Sequence, residues 1–277
     1  MTSFKLAQAQ IATRTDSQAL ADCIRRAAEE AAQRGADLLA LPEMFCCPYD
    51  VSSFPQYAQD EGGPVWQLCS DAARDCGICL SAGTMPEKGE DGRIYNTAYV
   101  FGKDGTQIAK HRKMHLFDIS VKGGQHFRES AVLSPGNSVT TFHTEFGTMG
   151  LAVCYDIRFP ELFRLMALKG AELILVPASF NMTTGPMHWE LLFRSQAVYN
   201  QVFIAGTAPA RCRDSSYVSW AHSIVTDPWG NILSEMDEKE GICITEIDLS
   251  KCTDAREQIP VLKHRREDIY IVKERRE

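Results

Sequence analysis

Short apolar runs alternate with longer amphipathic stretches along most of this chain. The segments 4–11, 37–42, 78–85, 148–153, 172–178 and 202–209 are small or apolar and read as strands. Residues 148–153 carry no charge, which suits a strand buried on both faces. Between these runs, 17–34, 64–76, 160–169 and 187–200 repeat their apolar residues at helical spacing. Pro160 falls in a first turn, where a missing N–H is harmless. A hairpin is expected from 95–101 and 106–112, turning at Lys103-Asp104-Gly105. Strands near 138–144, 222–227 and 241–247 precede a charged tail that starts at Ser250. Alternating strands and helices predict an α/β fold, a mixed sheet covered by helices. The two strand–helix–strand halves predict two sheets packed together.

Three strand ends carry chemistry. The run 148–153 stops at Cys154, in Cys154-Tyr155-Asp156-Ile157-Arg158-Phe159-Pro160-Glu161, with a helical pattern directly after it. A thiol at such a junction sits near free backbone N–H groups and the positive end of a helix. A second run ends at Leu41-Pro42-Glu43, and a third leads into Lys110-His111-Arg112-Lys113-Met114-His115. Lys113 is the last basic residue before Met114 and Leu116-Phe117, a setting that favours desolvation. Strands running parallel would gather these ends at one sheet edge, where α/β proteins build their sites.

The three groups complement one another. A cysteine attacks an amide or nitrile carbon as thiolate, so it needs a base or a lowered pKa. Glu43 can accept the thiol proton and later deliver one to departing ammonia. Lys113 can hold the thiolate and then the tetrahedral oxyanion, aided by the backbone N–H of Tyr155. A Cys–His pair competes with this reading, because His111 and His115 flank Lys113. No histidine, however, stands in a strand-end segment of comparable regularity.

These signatures resemble those of the nitrilase superfamily of carbon–nitrogen hydrolases, in order and spacing. The likeness runs from Phe4-Lys5-Leu6-Ala7-Gln8 to Gln258-Ile259-Pro260-Val261. Within the superfamily the chain is most similar to the omega-amidase branch. Met1-Thr2-Ser3-Phe4, Tyr95-Asn96-Thr97, Phe180-Asn181-Met182-Thr183-Thr184-Gly185-Pro186, His188-Trp189-Glu190 and Ser216-Tyr217-Val218-Ser219-Trp220 carry that match. The resemblance implies a four-layer αββα sandwich. It implies hydrolysis of the terminal amide of small dicarboxylic acid monoamides, such as 2-oxoglutaramate or 2-oxosuccinamate. The alternative is another superfamily specificity, a deaminated glutathione amidase or an N-carbamoyl amine amidohydrolase. It further implies that Glu129, in Phe127-Arg128-Glu129-Ser130, orients Lys113 and the attacking water. The glycine-rich stretch Val121-Lys122-Gly123-Gly124-Gln125-His126 departs from the family's pattern.

A monoamide substrate would need a cation for its distal carboxylate. Arg158, four residues after Cys154, is placed for that role, since guanidinium binds carboxylate bidentately. Its ordinary alternative is an ion pair with Glu161. Tyr49 is expected to donate a hydrogen bond to substrate, and Phe180 to form an apolar wall. The family implies both as pocket residues.

Composition narrows the rest. A chain of 277 residues with 44% hydrophobic content is long enough for one large domain, here 1–250, and no composition shift marks a linker. Residues 251–277 read as an arm whose Ile259, Val261, Leu262, Ile269, Tyr270 and Ile271 need a surface to cover. The family implies a homodimer there. A net charge of −7 without a long basic run argues against nucleic acid. No apolar stretch reaches about 18 residues and the N-terminus enters a strand at once, so neither a membrane span nor a signal peptide is expected. The ten cysteines are then reduced thiols in the cytoplasm. Cys46-Cys47, Cys76, Cys79 and Cys252 lack zinc-site spacing, so neither metal nor cofactor is expected.

Overall fold

In the computed structural model, which describes residues 3–123 and 125–275, β1 (Ser3–Gln10) alternates between two apolar environments. Phe4 and Leu6 join one core cluster, Ala7 and Ala9 the other. A strand covered on both faces must do this. Helix α1 (Ser17–Gln33) follows, capped by the Asp16 carboxylate, which accepts the Ala19 N–H at 2.8 Å. Next come β2 (Leu38–Ala40), the short α2 (Phe54–Tyr57) and α3 (Pro64–Cys76). Gly77 ends α3 at φ +60°, the left-handed conformation that glycine adopts without strain. Then β3 (Cys79–Ser81), β4 (Met85–Lys88), β5 (Ile94–Phe101) and β6 (Gln107–Arg112) run along one sheet. A separate two-stranded ribbon joins β7 (Asp118–Ser120) to β8 (His126–Arg128).

The second half holds β9 (Thr140–His143), β10 (Thr148–Leu151), α4 (Pro160–Leu168) and β11 (Leu173–Pro177). It continues through α5 (Gly185–Asn200), β12 (Phe203–Thr207), β13 (Ile224–Thr226) and β14 (Ile232–Glu235). The last strand, β15 (Gly241–Asp248), returns to pair antiparallel with β1, and α6 (Ser250–Gln258) closes the body. The first sheet has the order β15-β1-β2-β3-β5-β4 with β6 on β5, the second β14-β13-β12-β11-β10-β9. Both are mixed, as expected.

The two sheets pack face to face. Phe4 stacks on Phe146 with ring centroids 4.6 Å apart. The Gln8 amide of β1 donates to the Gly206 carbonyl at 2.8 Å and to the Thr207 hydroxyl at 3.0 Å. The opposite face of the first sheet, with Leu39, Tyr99 and Phe101, lies under α1 and α3. Leu162, Phe163 and Met166 of α4, with Trp189 and Phe193 of α5, cover the second sheet. The result is the four-layer αββα sandwich. No helix among the described residues is long and apolar enough to cross a membrane.

One expected element changes. The single strand over 78–85 is two strands, because Gly83 takes φ +53° and bends the chain along the edge of β5. From Ser250 the chain first forms α6, which buries Cys252 and Ala255. The glycine-rich stretch connects β7 to β8, and Gly124 within it lies outside the described residues, as do Met1 and Thr2.

Gly83 ties the fold to the chemistry. A Cβ there would lie 2.0 Å from the carbonyl oxygen of Pro42, the residue before Glu43. Gly83→Ala therefore has to displace the Pro42-Glu43 segment as well as strain its own backbone. It is expected to lower stability by at least about 1 kcal/mol and to reduce kcat/KM. Thermal unfolding and steady-state rates measured together check this, and a variant matching wild type in both would contradict it.

Candidate active site

Each of the three residues stands just past the end of a strand. Glu43 stands three residues past β2, Lys113 directly after β6, and Cys154 three residues past β10. Strand β6 is antiparallel to β5, which is antiparallel to β3, and β3 is parallel to β2. Strands β2 and β6 thus point the same way and present Glu43 and Lys113 at one edge. Cys154 comes from the facing sheet. The site is built between two sheets, not along the edge of one.

Lys113 and both glutamates are fully buried. The Lys113 ammonium donates to Glu129 Oε1 at 2.9 Å and to Glu43 Oε1 at 3.0 Å, and the side chains of all three have no solvent exposure. One cation thus serves two carboxylates, an arrangement that survives burial only if the remaining oxygens are satisfied. They are. Glu43 Oε1 also accepts from the Asn96 amide at 2.9 Å, and its Oε2 from the Ser179 backbone N–H at 2.9 Å. Glu129 Oε2 accepts the Phe117 N–H at 2.7 Å. The Tyr49 hydroxyl donates to Glu129 Oε1 at 2.8 Å and lies 3.2 Å from Glu43 Oε1.

Burial is the main influence on these groups. It pushes the Glu43 carboxyl above its ordinary range, although the Lys113 charge opposes the shift. Burial also disfavours the Lys113 ammonium, but Glu129 and Glu43 outweigh it and hold the group charged. The Cys154 thiol is pushed far up, first by burial and then by the negative charge of Glu43. A protonated thiol beside a carboxylate of raised basicity is the resting arrangement. The thiolate is therefore generated during attack by transfer to a base, not stored beforehand.

Cys154 itself sits at φ +45°, in the left-handed region that a side chain enters only under constraint. It opens a 3-10 turn, Cys154–Arg158, and the Tyr155 N–H belongs to the first orphan donors of that turn. Asp156 supplies the constraint. Its Oδ2 accepts the Val153 N–H at 2.9 Å, and its Oδ1 accepts the His115 N–H at 2.9 Å and meets His115 Nδ1 at 2.7 Å. His111 Nε2 approaches Oδ2 at 3.4 Å. Burial opposes the charge of Asp156, yet the two histidines hold its carboxyl well below the usual range. Both histidines are thus committed to Asp156, and no Cys–His pair forms among the described contacts.

A tight cleft, too small in this state to admit a water molecule, adjoins the thiol and is lined by Phe117, Tyr155, Arg158, Ser179, Phe180 and Thr184. Arg158 and Phe180 line it, the guanidinium 5.0 Å from the Phe180 ring. Tyr49 lines a neighbouring cavity of about 210 Å³ with Glu43, Ser179 and Tyr217. Its hydroxyl is spent on the carboxylates behind the pocket, because the aromatic cluster with Tyr217 and Phe127 turns the ring that way. Glu129 pairs with Lys113 and not with Arg128, whose Nε reaches Ser130. In the glycine-rich stretch, Gln125 accepts a hydrogen bond from Asn181, and beyond it Phe127 packs over Tyr49 and Tyr217.

Four contributors had not been singled out: Asn96, Asp156, Ser179 and Tyr217, whose hydroxyl donates to the Ser179 carbonyl at 2.6 Å. Asn96 is a buried amide inside a largely apolar strand, and Asp156 lies two residues beyond the thiol; both were readable signals. Tyr217 stood within a matching string, but its contact with Ser179 lies far from it in sequence.

The family model for carbon–nitrogen hydrolases matches residues 5–257. An omega-amidase of Xenopus laevis is 46% identical over 279 aligned residues, covering 100% of both chains. The Homo sapiens omega-amidase is 47% identical over 275 residues, 98% of each chain. A solved Saccharomyces cerevisiae structure, described as a member of branch 10 of the nitrilase superfamily, superposes with a TM-score of 0.88 at 39% identity, covering 96% of this chain and 97% of that one. Together with a buried glutamate, lysine and cysteine around one pocket, these matches establish that the chain belongs to the carbon–nitrogen hydrolase family of the nitrilase superfamily and is an amidohydrolase.

Proposed function

We propose that this enzyme is an omega-amidase, converting the terminal amide of a small dicarboxylic acid monoamide to the acid and ammonia. The observation that carries the reading is Arg158. It is a largely buried guanidinium in the wall of the thiol pocket, and among the described residues no carboxylate pairs with it. A cation desolvated without a counter-ion is complementary to an anionic substrate group. The two full-length relatives named above carry the same activity in their names. A carbamoyl amine with a second, free amino group would be cationic there and would call for an acid opposite Arg158.

In this reading the Cys154 proton passes to Glu43 as sulfur attacks the amide carbon. The oxyanion meets the third N–H of Lys113, whose other two are held by carboxylates, and the Tyr155 N–H. Glu43 returns the proton to the departing nitrogen, leaving a thioester. It then deprotonates the water that releases the acid. Glu129 keeps Lys113 aimed at the oxyanion, Phe180 walls the pocket, and Tyr49 fixes both carboxylates.

We assign the enzyme to the cytoplasm because all ten cysteines are free thiols. We also infer a homodimer, with the catalytic body as one domain and the arm beyond it at the interface. Ile269, Tyr270 and Ile271 of the arm stand 70%, 52% and 68% exposed, a consecutive apolar run that a partner copy would cover.

The catalytic and recognition roles give separate tests. Glu43 must be ionised to act, and it is protonated below its pKa, so a raised pKa moves the acid-side loss of rate upward. With an uncharged amide such as butyramide, kcat/KM should fall with a midpoint above 4.5, the ordinary glutamate value. Full activity at that pH would contradict Glu43 as the base. Arg158→Met should cost about 2–5 kcal/mol in kcat/KM for succinamate, whose carboxylate would be buried unpaired, and much less for butyramide. Ammonia release from both substrates checks this; equal proportional losses would assign Arg158 to architecture and remove the support for an omega-amidase.

A further inference from the structure

Arg158 is not free to swing. Its Nη1 lies 3.1 Å from Nδ1 of His188, in the first turn of α5. A guanidinium can only donate, so His188 Nδ1 must be the acceptor, and the ring is the neutral tautomer with its proton on Nε2. Burial first, and the Arg158 charge second, lower the pKa of His188 and keep it in that form.

The frame around this contact is rigid. The His188 N–H bonds the Thr184 carbonyl at 2.8 Å. The next residue, Trp189, is buried, donates to the His222 carbonyl at 2.6 Å and packs edge-on against Phe180. Further along α5, the Gln196 amide donates to the Ile157 carbonyl at 2.9 Å, joining the helix to the turn that carries Arg158.

The chemistry of the partner matters more than its presence. A carboxylate at His188 would hold the guanidinium as well, but it would also cancel the charge. A neutral imidazole lone pair fixes one N–H and leaves the positive charge, with the remaining donors, available to a ligand. We propose that His188 is a specificity-determining positioning residue: it aims Arg158 at the distal carboxylate of the substrate while leaving the guanidinium charge uncancelled. This inference rests on the omega-amidase reading above.

Steady-state kinetics of the full chain decide it, with succinamate and butyramide as paired substrates. The readout is the ratio of their kcat/KM values. His188→Leu removes the acceptor and should lower the ratio about tenfold, mainly through KM for succinamate. His188→Gln, whose amide oxygen accepts the same hydrogen bond, should recover most of it. His188→Glu, nearly isosteric with Gln but charged, should lower the ratio at least about 100-fold. Butyramide turnover near wild type reports intact folding; if the Leu variant does not fold, the Gln–Glu comparison decides alone. An unchanged ratio in the Glu variant, or equal losses on both substrates, would overturn the proposal. If Arg158→Met is selective while the His188 series is not, this inference fails and the omega-amidase reading stands. If neither is selective, both fail.

Discussion

Lys113 is the charge on which the rest of this site depends. Two carboxylates, Glu43 and Glu129, lie within 3.0 Å of one ammonium, with all three side chains removed from solvent. Without the cation, two like charges in a dry interior would be untenable, and one would take up a proton. With it, Glu43 stays a base, raised in pKa by burial but not neutralised. The surrounding architecture supports the balance: Asn96 from β5, the Ser179 amide past β11, the Phe117 amide and the Tyr49 hydroxyl each satisfy a carboxylate oxygen. The Gly83 bend lets the Pro42 carbonyl approach closely enough to put Glu43 among them.

A second buried charge aligns the nucleophile with that cluster. Asp156 bonds the Val153 amide on one side of Cys154 and the His115 amide just beyond Lys113 on the other. It therefore ties the strained turn of the second sheet to the segment that leaves the first. Arg158, at the end of the same turn, faces the pocket with an uncancelled charge. Reactivity and recognition thus come from one short stretch, Cys154–Arg158, clamped at its centre.

What the chain discloses by itself follows from how local each signal is. Glu43 and Cys154 were legible because each stands where an apolar run stops, and Lys113 because it is the last basic residue before Met114 and Leu116-Phe117. Helices α1, α3, α4 and α5 were legible from the spacing of their apolar residues, and α4 also from Pro160 in its first turn. Glu129 was reachable only through resemblance: Arg128-Glu129-Ser130 looks like a surface loop until Lys113, 16 residues away, is brought against it. Tyr49 meets both carboxylates from a cavity it shares with Glu43, a direction not legible in the sequence because it is set by rings distant along the chain, such as Tyr217. Helix α6 went unread because its contact with the body rests on two small buried residues, Cys252 and Ala255, in a polar segment. His188 was visible within a matching string, but its role needs the distance to Arg158.

The central claim is that the Lys113 charge keeps the buried Glu43 carboxylate ionised and able to act as a base. Infrared spectroscopy of the protonated-carboxyl C=O stretch, at neutral pH and with isotope-labelled glutamate, tests it most directly. In wild type Glu43 should contribute no protonated-carboxyl band. In Lys113→Met such a band should appear, and Glu43→Gln in that background should remove it. A protonated Glu43 already present in wild type, or one still ionised without the lysine, would contradict the account.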